Sequence, residues 1–225
     1  LLDGAKADLP PGFMDAINRI SYESASAKIN VALERLPSFT SLPGHEPGLQ
    51  HHGTVHIAPD QDFIERAYDD AKYGNWSRDP VVECTMPSSL DPTVAPPGKH
   101  IMSMFVQYAP YKLKDGEWDS ATKNAFADRC FEIVEEYAPG FKDSVIDRQI
   151  LTPQDLEATF NLTGGNIFQG AMNLDKLFMF RPVPGYAGYK MPIKGLYLCG
   201  AAAHPGGGVM GAPGWNAARE ILRSK

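Results

Sequence analysis

Hydrophobic and polar residues alternate in several segments of the chain, which is the pattern of a β-strand with one buried face. The clearest case is AKINVALERL (27–36), where Ile29, Val31 and Leu33 alternate with smaller or polar residues. Because successive side chains of a strand point to opposite faces, these three are expected to enter the core. Further strands are predicted at 54–57, 80–86, 100–108 and 144–151, and Leu196–Cys199 is predicted as a strand buried on both faces.

Other segments place apolar residues every three or four positions, which predicts helices. The most regular one runs from Asp119 or Ser120 to Tyr137 and is ended by Pro139-Gly140. Shorter helices are predicted after Pro11 with Phe13, Ile17 and Ile20 on one face, from Asp60 to Tyr73, and from the N-cap Thr152 onward. Because strands and helices mix irregularly, we expect an α+β (mixed α/β) fold with a mixed β-sheet.

Composition narrows the classes of function. Lys and Arg number 21 against 27 Asp and Glu, which gives a net charge of -6 without a basic block. A partner rich in phosphate needs a positive surface, so we expect no nucleic-acid binding. The uncharged stretch 195–218 is long enough to span a bilayer, but nine of its 24 residues are Gly or Pro. Such a backbone leaves polar groups unsatisfied in lipid, so we expect no membrane span.

The character of the chain changes near residue 165, after NLTGG, and the segment beyond it is rich in Gly and Pro. After the apolar run 196–199 come Gly206, Gly207, Gly208 and Gly211, and then a helix to Leu222 whose packed face we predict as Trp215, Ala218 and Leu222. A glycine loop before a helix N-terminus presents outward N–H groups and a partial positive charge, which suits anions and polarised heteroatoms.

Gly206-x-Gly208-x-x-Gly211 formally matches the dinucleotide fingerprint, but we reject that interpretation. The fingerprint turns tightly off its strand, whereas these glycines begin six residues after Gly200. The pattern instead indicates the last strand and last helix of a nucleotide-binding domain.

The segment GLYLCGAAAHPGGGVMGAPGWNAA closely resembles the C-terminal flavin-contacting motif of the phytoene desaturase-like branch of FAD-dependent oxidoreductases. KINVALERLP, GGNIFQGAM and FRPVP resemble further segments of that branch. The resemblance implies a substrate-binding domain at 1–165 and the returning C-terminal segment of a Rossmann-like FAD-binding domain at 166–225. The residues implied to face the FAD are Gly200, Ala201, Gly206, Gly207, Gly208, Val209, Met210 and Gly211.

In that branch an N-terminal Rossmann unit holds the ADP half of FAD, and the present residues contain no such unit. We therefore expect the chain to be part of a longer protein, with an incomplete FAD site and no activity by itself. Many related flavoproteins carry an acid just after the glycine of the strand, where this chain has Ala201. Recognition of the ribityl chain must then use backbone groups or residues elsewhere.

Three single residues are candidates for chemistry. His204 lies between the strand and the glycine loop, where it is either a proton donor or acceptor in catalysis or a histidine that caps backbone groups in a turn. Arg181 either pairs with a substrate carboxylate or phosphate or braces the domain junction. Lys28 is more consistent with a solvent-facing or salt-bridged lysine than with the lysine that flavin amine oxidases place near the flavin.

The histidines at 45, 51, 52 and 56 suggest a metal site, but we expect none. On a strand, His52 and His56 lie about 13 Å apart, too far for one ion, and Gly53 argues against a helix there. The three cysteines Cys84, Cys130 and Cys199 are scattered, so we expect no disulfide framework and no dithiol chemistry.

These observations support three interpretations. The leading one is part of an FAD-dependent oxidoreductase that removes hydride from a largely apolar or amine substrate. The alternatives are a non-catalytic interaction protein that keeps the flavoprotein fold, and a stable proteolytic fragment. We expect a small-molecule substrate, while a homo-oligomer or protein partner stays open. The resemblance implies an intracellular location, mitochondrial in a eukaryote and otherwise cytoplasmic.

Overall fold

The computed structural model describes residues 9–224, which form parts of two compact units. The first combines the residues up to Ser24 with those from Phe160 onward, and we call it the glycine-loop unit. The second comprises Ala25–Thr159, and we call it the sheet unit. The division of roles between 1–165 and 166–225 remains a prediction.

The sheet unit is built on a five-stranded sheet with the strand order β2-β3-β4-β1-β5. Its strands are β1 (Ser26–Leu33), β2 (Val55–Ile57), β3 (Val81–Thr85), β4 (His100–Gln107) and β5 (Val145–Leu151). The strand predictions within this unit are confirmed. Each pairing in the described sheet is antiparallel, whereas the sequence analysis expected a mixed sheet. Alternation of apolar residues reports which face is buried and carries no information on strand direction.

The helices of the sheet unit are α2 (Leu49–His52), α3 (Gln61–Lys72), α4 (Ser120–Tyr137) and α5 (Pro153–Phe160). Three of them, α3, α4 and α5, begin where side chains cap them, whereas α2 follows Gly48 without a side-chain cap. Asp60 accepts a hydrogen bond from the Phe63 N–H (2.7 Å), and Asp119 accepts one from the Thr122 N–H (2.8 Å). Thr152 Oγ1 donates to Asp155 (2.7 Å), which also accepts from the Thr152 N–H. These caps satisfy amides that have no partner inside the helix.

The core of the sheet unit lies between α4 and one face of the sheet. Ile29 and Leu33 of β1 are fully buried, as are Phe126 and Val134 of α4. Lys28 is exposed on the opposite face of β1, as the alternation predicts. The α+β class is therefore confirmed.

The glycine-loop unit contains two described helices, α1 (Pro11–Asn18) and α6 (Ala212–Arg223), and many turns. Its buried apolar cluster is small, with Tyr189, Ala203 and Ala217 packed against Leu198. The predicted strand 196–199 is wrong as a buried strand, because Tyr197 forms only an isolated bridge with Lys190. A strand needs a continuous ladder of pairs with a neighbouring strand, and one bridge does not form a ladder.

The predicted packed face of α6 is also wrong. Trp215 and Leu222 are about two-thirds exposed (67% and 69%), whereas Pro213 and Ala217 are buried. Ala217 joins the cluster around Tyr189, where its small side chain permits close approach of the helix. Periodicity shows that a helix has an apolar face, but it does not say which of two faces is covered.

Candidate functional site

The glycine loop borders an open concavity with a volume of about 360 Å³ inside the glycine-loop unit. Ile167, Cys199, Pro213 and Gly214 complete its wall. The residues predicted to face the cofactor all line this concavity: Gly200, Ala201, Gly206, Gly207, Gly208, Val209, Met210 and Gly211. The structure thus brings the predicted set together, although 200–201 and 206–211 are separated in sequence.

The end of the loop leads directly into α6. Gly211 is the N-cap of this helix, with φ of 67°, and makes no side-chain cap hydrogen bond. An L-residue is strained in this left-handed conformation, which explains the glycine. The first-turn amides of α6 are therefore not capped by a side chain, and the helix dipole adds partial positive charge beside the concavity.

Two groups of glycines differ in the space around them. A Cβ atom on Gly207 would lie 2.0 Å from Phe168 Cδ1, and one on Gly206 would lie 2.8 Å from Met172 Cε. A Cβ atom on Gly211 or Gly214 would meet nothing within 4 Å. Packing against the Phe168 ring therefore requires Gly207, and a φ of 115° favours glycine at 206, while Gly211 and Gly214 lie beside open space where another molecule can approach the backbone.

Arg181 holds the loop in place from the interior. Its side chain is buried, with the residue only 2% exposed, and it donates to main-chain carbonyls rather than to an acid. Nε and Nη2 donate to Ala201 O (3.0 and 2.8 Å), and Nη2 also donates to Phe168 O (2.5 Å) and Gly170 O (3.2 Å). Burial lowers the pKa of the guanidinium, which nevertheless stays charged. Arg181 therefore braces the loop within the glycine-loop unit, while bracing of the domain junction and pairing with a substrate both stay predictions.

The structure does not place His204 in the wall of the concavity. Its Nδ1 is buried and has no hydrogen-bond partner within residues 9–224. Its carbonyl accepts from Tyr189 Oη (2.9 Å), which in turn accepts from Asn216 Nδ2 (2.8 Å). His204 therefore ties the loop to α6 through its backbone, and its catalytic role stays a prediction.

Of the histidines at 45, 51, 52 and 56, three have separate partners in the described structure. His45 Nδ1 lies 2.7 Å from Leu36 O, His51 Nε2 lies 2.8 Å from Pro37 O, and His56 faces Glu83. His51 and His52 end the short helix α2, and Gly53 follows in an extended conformation, so the segment 51–56 is not one helix, as the sequence predicts. Over residues 9–224, no group of three or more His, Cys, Asp or Glu side chains is arranged to hold a metal ion.

The cysteines differ in their surroundings. Cys84 and Cys130 are buried, and burial raises the pKa of the Cys84 thiol to about 12. Cys199 is exposed, which corrects its predicted place in a buried strand. The described cysteines are all free thiols.

The sequence analysis missed the residues that shape the loop from behind. Phe168, Gln169 and Met172 approach Gly207, Gly200 and Gly206, respectively. They lie in GGNIFQGAM, a segment that resembles the family but carries no pattern that predicts a structural role. Only the contacts across the unit show that it serves as the support of the loop.

The lining of the concavity suits the flavin implied by the resemblance. None of its described lining residues is Asp or Glu, so no negative side chain opposes an anionic or electron-rich group. The open space at Gly211 and Gly214 lets such a group approach the uncapped helix end. These are the features that helix N-termini use to bind anions.

Comparison with known proteins gives the family. No family model matches the chain. The chain is 51% identical over 220 residues, 96% of its length, to pyridine nucleotide-disulfide oxidoreductase domain-containing protein 2 of Rattus norvegicus. The chain belongs to the family of that protein. It spans 38% of the length of this relative, so the activity of a whole protein of the family is not established for it.

Two further proteins are more distantly similar to the chain. The lycopene-forming phytoene desaturase of Pseudescherichia vulneris is 33% identical over 127 residues, which cover 56% of the chain and 25% of the desaturase. The crystal structure of an oxidoreductase from Methanosarcina mazei matches with a TM-score of 0.50 and 18% identity, over 98% of this chain and 38% of that one. The second likeness describes the fold alone.

Among the helices within residues 9–224, none combines the length and the hydropathy that a bilayer-spanning helix needs.

Proposed function

We propose that this chain supplies the flavin-facing C-terminal part of an FAD-dependent oxidoreductase. The observation that carries the proposal is the single concavity lined by Gly200, Ala201 and the loop 206–211 at the uncapped end of α6. The relatives named above are oxidoreductases or desaturases by name, which supports redox chemistry. The returning segment 166–225 would belong to the FAD-binding domain, and the residues before it mainly to the substrate domain.

FAD, when bound, would accept hydride from the substrate. The residues of this chain would bind the flavin and hold it in position. The first-turn amides of α6 would stabilise negative charge near the flavin ring, and Gly211 and Gly214 leave room for close approach. Arg181 positions Ala201 through its carbonyl, so it acts on the site through the backbone. The substrate class that we propose is a largely apolar molecule or an amine.

The proposed FAD site also depends on residues outside this chain. The chain spans 38% of its rat relative, and the ADP half of FAD would be held by an N-terminal Rossmann unit. We therefore expect the chain by itself to hold little flavin and to be inactive. The proposed location, mitochondrial in a eukaryote and otherwise cytoplasmic, is a separate prediction.

A second candidate function is a non-catalytic interaction protein. It is favoured by the apolar face of α6, where Trp215 and Leu222 are exposed, and by the exposed Val209 at the loop tip. Apolar side chains clustered on a surface commonly mark contact with another protein or domain. In the leading proposal, the missing Rossmann unit would cover this face.

Flavin content distinguishes these candidates. We would purify this chain and the longer protein of which we propose it is part, denature each and measure the released flavin by absorbance. Flavin in the longer protein alone supports the proposal. Absence of flavin from both, after incubation with FAD, would remove the enzyme function and favour the interaction protein.

A charge at the open end of the loop tests the site itself. Gly214→Glu in the longer protein places a carboxylate where a Cβ meets nothing within 4 Å, so folding should be preserved. Repulsion of the anionic cofactor should weaken FAD binding about tenfold. Gly188→Glu is the matched control, because Gly188 is equally unobstructed and does not line the concavity. Equal flavin content in both variants would contradict the proposed site.

A further inference from the structure

A second cavity lies inside the glycine-loop unit, with a volume of about 320 Å³. This volume is at the lower end of the range for small-molecule sites, about 300–1,000 Å³. Its wall is mostly apolar and includes Ile17 of α1 together with Met191, Ile193 and Leu198. The proposed flavin chemistry does not use this cavity.

The helix α1 presents its apolar face to this cavity rather than to a packed core. Phe13 and Ile17, together with Ile20 just beyond the helix, line the cavity, and all three are only partly buried. The Phe13 ring packs edge-on against Tyr186, with centroids 4.6 Å apart. No residue of α1 is fully buried. The helix is therefore anchored at one side and leaves apolar surface available to a ligand.

The charges around this cavity have one sign. Lys176 and Arg181 line it, and no Asp or Glu is found among its described lining residues. The Lys176 ammonium faces Asp175 at 3.3 Å, but the Asp175 side chain is 71% exposed, so water screens this pair. Arg181 contacts only carbonyl oxygens in the described structure, so no carboxylate neutralises its charge. A buried positive charge without a counter-ion favours an anionic ligand.

The two cavities lie against the same stretch of backbone. Ala201 lines the glycine concavity, and the next residue, Ala202, lines the apolar cavity. Arg181 donates to Ala201 O and also borders the apolar cavity. A ligand in the apolar cavity would therefore lie close to the residue that holds the glycine loop.

We propose that the apolar cavity binds a small aliphatic monocarboxylate, with its chain against Ile17 and Leu198 and its carboxylate drawn by Lys176 and Arg181. Most N–H groups of Arg181 are already bonded to carbonyls, so Lys176 is the group that contacts the carboxylate directly. Among residues 9–224, Nη1 of Arg181 makes only one long hydrogen bond, 3.5 Å to Ala171 O, and it adds positive charge nearby. The site does not depend on the proposed flavin function.

Calorimetric titration of this chain with three probes of equal chain length tests the ligand class. Decanoate should bind saturably with one site per chain, decanol should bind about tenfold more weakly, and decyltrimethylammonium should not bind. Equal binding of decanoate and decanol would overturn the anionic preference. Absence of decanoate binding would overturn the site as a whole.

Substitutions inside the cavity, each paired with a control outside it, test whether the ligand binds there. Lys176→Met keeps the length of the side chain and removes its charge, so decanoate should bind several-fold more weakly while decanol is unaffected. Lys194→Met is the control, because Lys194 is exposed and does not line the cavity. Ala202→Leu should fill the cavity and abolish binding of both probes, whereas Ala218→Leu on the exposed face of α6 should not.

Circular dichroism of each variant separates loss of the site from loss of the fold. A folded Ala202→Leu variant that still binds decanoate as the wild type does would show that the ligand lies elsewhere and contradict the proposal. If Ala202→Leu does not fold, Lys176→Met alone decides, because its flexible side chain makes no hydrogen bond to the backbone in the described structure.

Discussion

The two units of this chain are stabilised by different means. The sheet unit buries a continuous apolar core between α4 and its sheet, with fully buried Ile29 and Phe126. The glycine-loop unit has a cluster of only a few apolar residues, and hydrogen bonds from Arg181 hold its main chain. A polar ligand cannot enter a continuous apolar core without losing its hydration. A main chain that is held by hydrogen bonds on its inner side keeps its outer side free for a ligand. The contrast explains why the candidate sites lie in the glycine-loop unit.

The largest expected effect is in the core of the sheet unit. Phe126 is fully buried and packs edge-on against Trp76 and Trp118. Phe126→Ala should lower the free energy of unfolding by about 3–5 kcal/mol, because it removes apolar contacts and leaves a cavity. Urea unfolding monitored by tryptophan fluorescence measures the change. Phe160→Ala, at a residue that is 56% exposed, should cost much less, and an equal loss would contradict the packing described.

The next effect concerns the polar support of the glycine-loop unit. Arg181→Met should destabilise this unit by about 2–4 kcal/mol, because several buried carbonyls lose their donors. Hydrogen exchange should increase at 168–171 and around Ala201 and remain unchanged in the sheet strands. Arg219→Met, at an exposed position of α6, is the control. Increased exchange throughout both units would show that the sheet unit also depends on Arg181.

Gly207 packs against Phe168 and Gly214 faces open space, so substitutions at these two glycines test this difference in surroundings. Gly207→Ala should destabilise the protein by about 1–3 kcal/mol, since its Cβ would lie 2.0 Å from Phe168 Cδ1. Gly214→Ala should stabilise α6 by up to about 1 kcal/mol, because alanine is the better helix former and space is available. Thermal unfolding of the two variants should shift in opposite directions. A shift in the same direction would contradict the different surroundings of these glycines.

The smallest effect is electrostatic and lies at the start of α5. Burial raises the pKa of Asp155, but hydrogen bonds from Lys123 and Thr152 outweigh it, so the pKa lies below its usual range. Ionised Asp155 therefore stabilises the fold above its unfolded pKa of about 3.9, and this contribution is lost as the pH falls through the lower folded value. Asp155→Asn should cost about 1 kcal/mol at pH 7.

The pH dependence gives the check on this prediction. The difference between wild type and Asp155→Asn should shrink as the pH falls below the unfolded pKa of about 3.9, and it should be lost once the pH lies below the lowered pKa of the folded carboxyl. Denaturant unfolding at pH 7 and pH 3 measures both differences. Asp143→Asn, at an exposed residue, should show no comparable difference at either pH. A difference for Asp155→Asn that is independent of pH would contradict the role of its ionised form.

Much of the local structure could be predicted from the sequence, because it depends on neighbours along the chain. Asp60, Asp119 and Thr152 cap their helices with their own side chains, and each cap lies within three residues of its partner. The alternation in β1 correctly predicts that Ile29 is buried and Lys28 is exposed. The glycine concavity could be anticipated as well, since its glycines stand out as a group in the sequence.

The sequence by itself thus determined the α+β class, the helix ends and the set of residues that meets at the glycine loop. Only the tertiary structure decided the antiparallel strand directions, the exposure of Trp215 on α6 and the bonding of Arg181 to backbone carbonyls. Side-chain periodicity and capping act over a few residues, whereas these features depend on contacts between segments far apart in sequence. Arg181 and Ala201 are 20 residues apart and meet only because the chain folds back on itself.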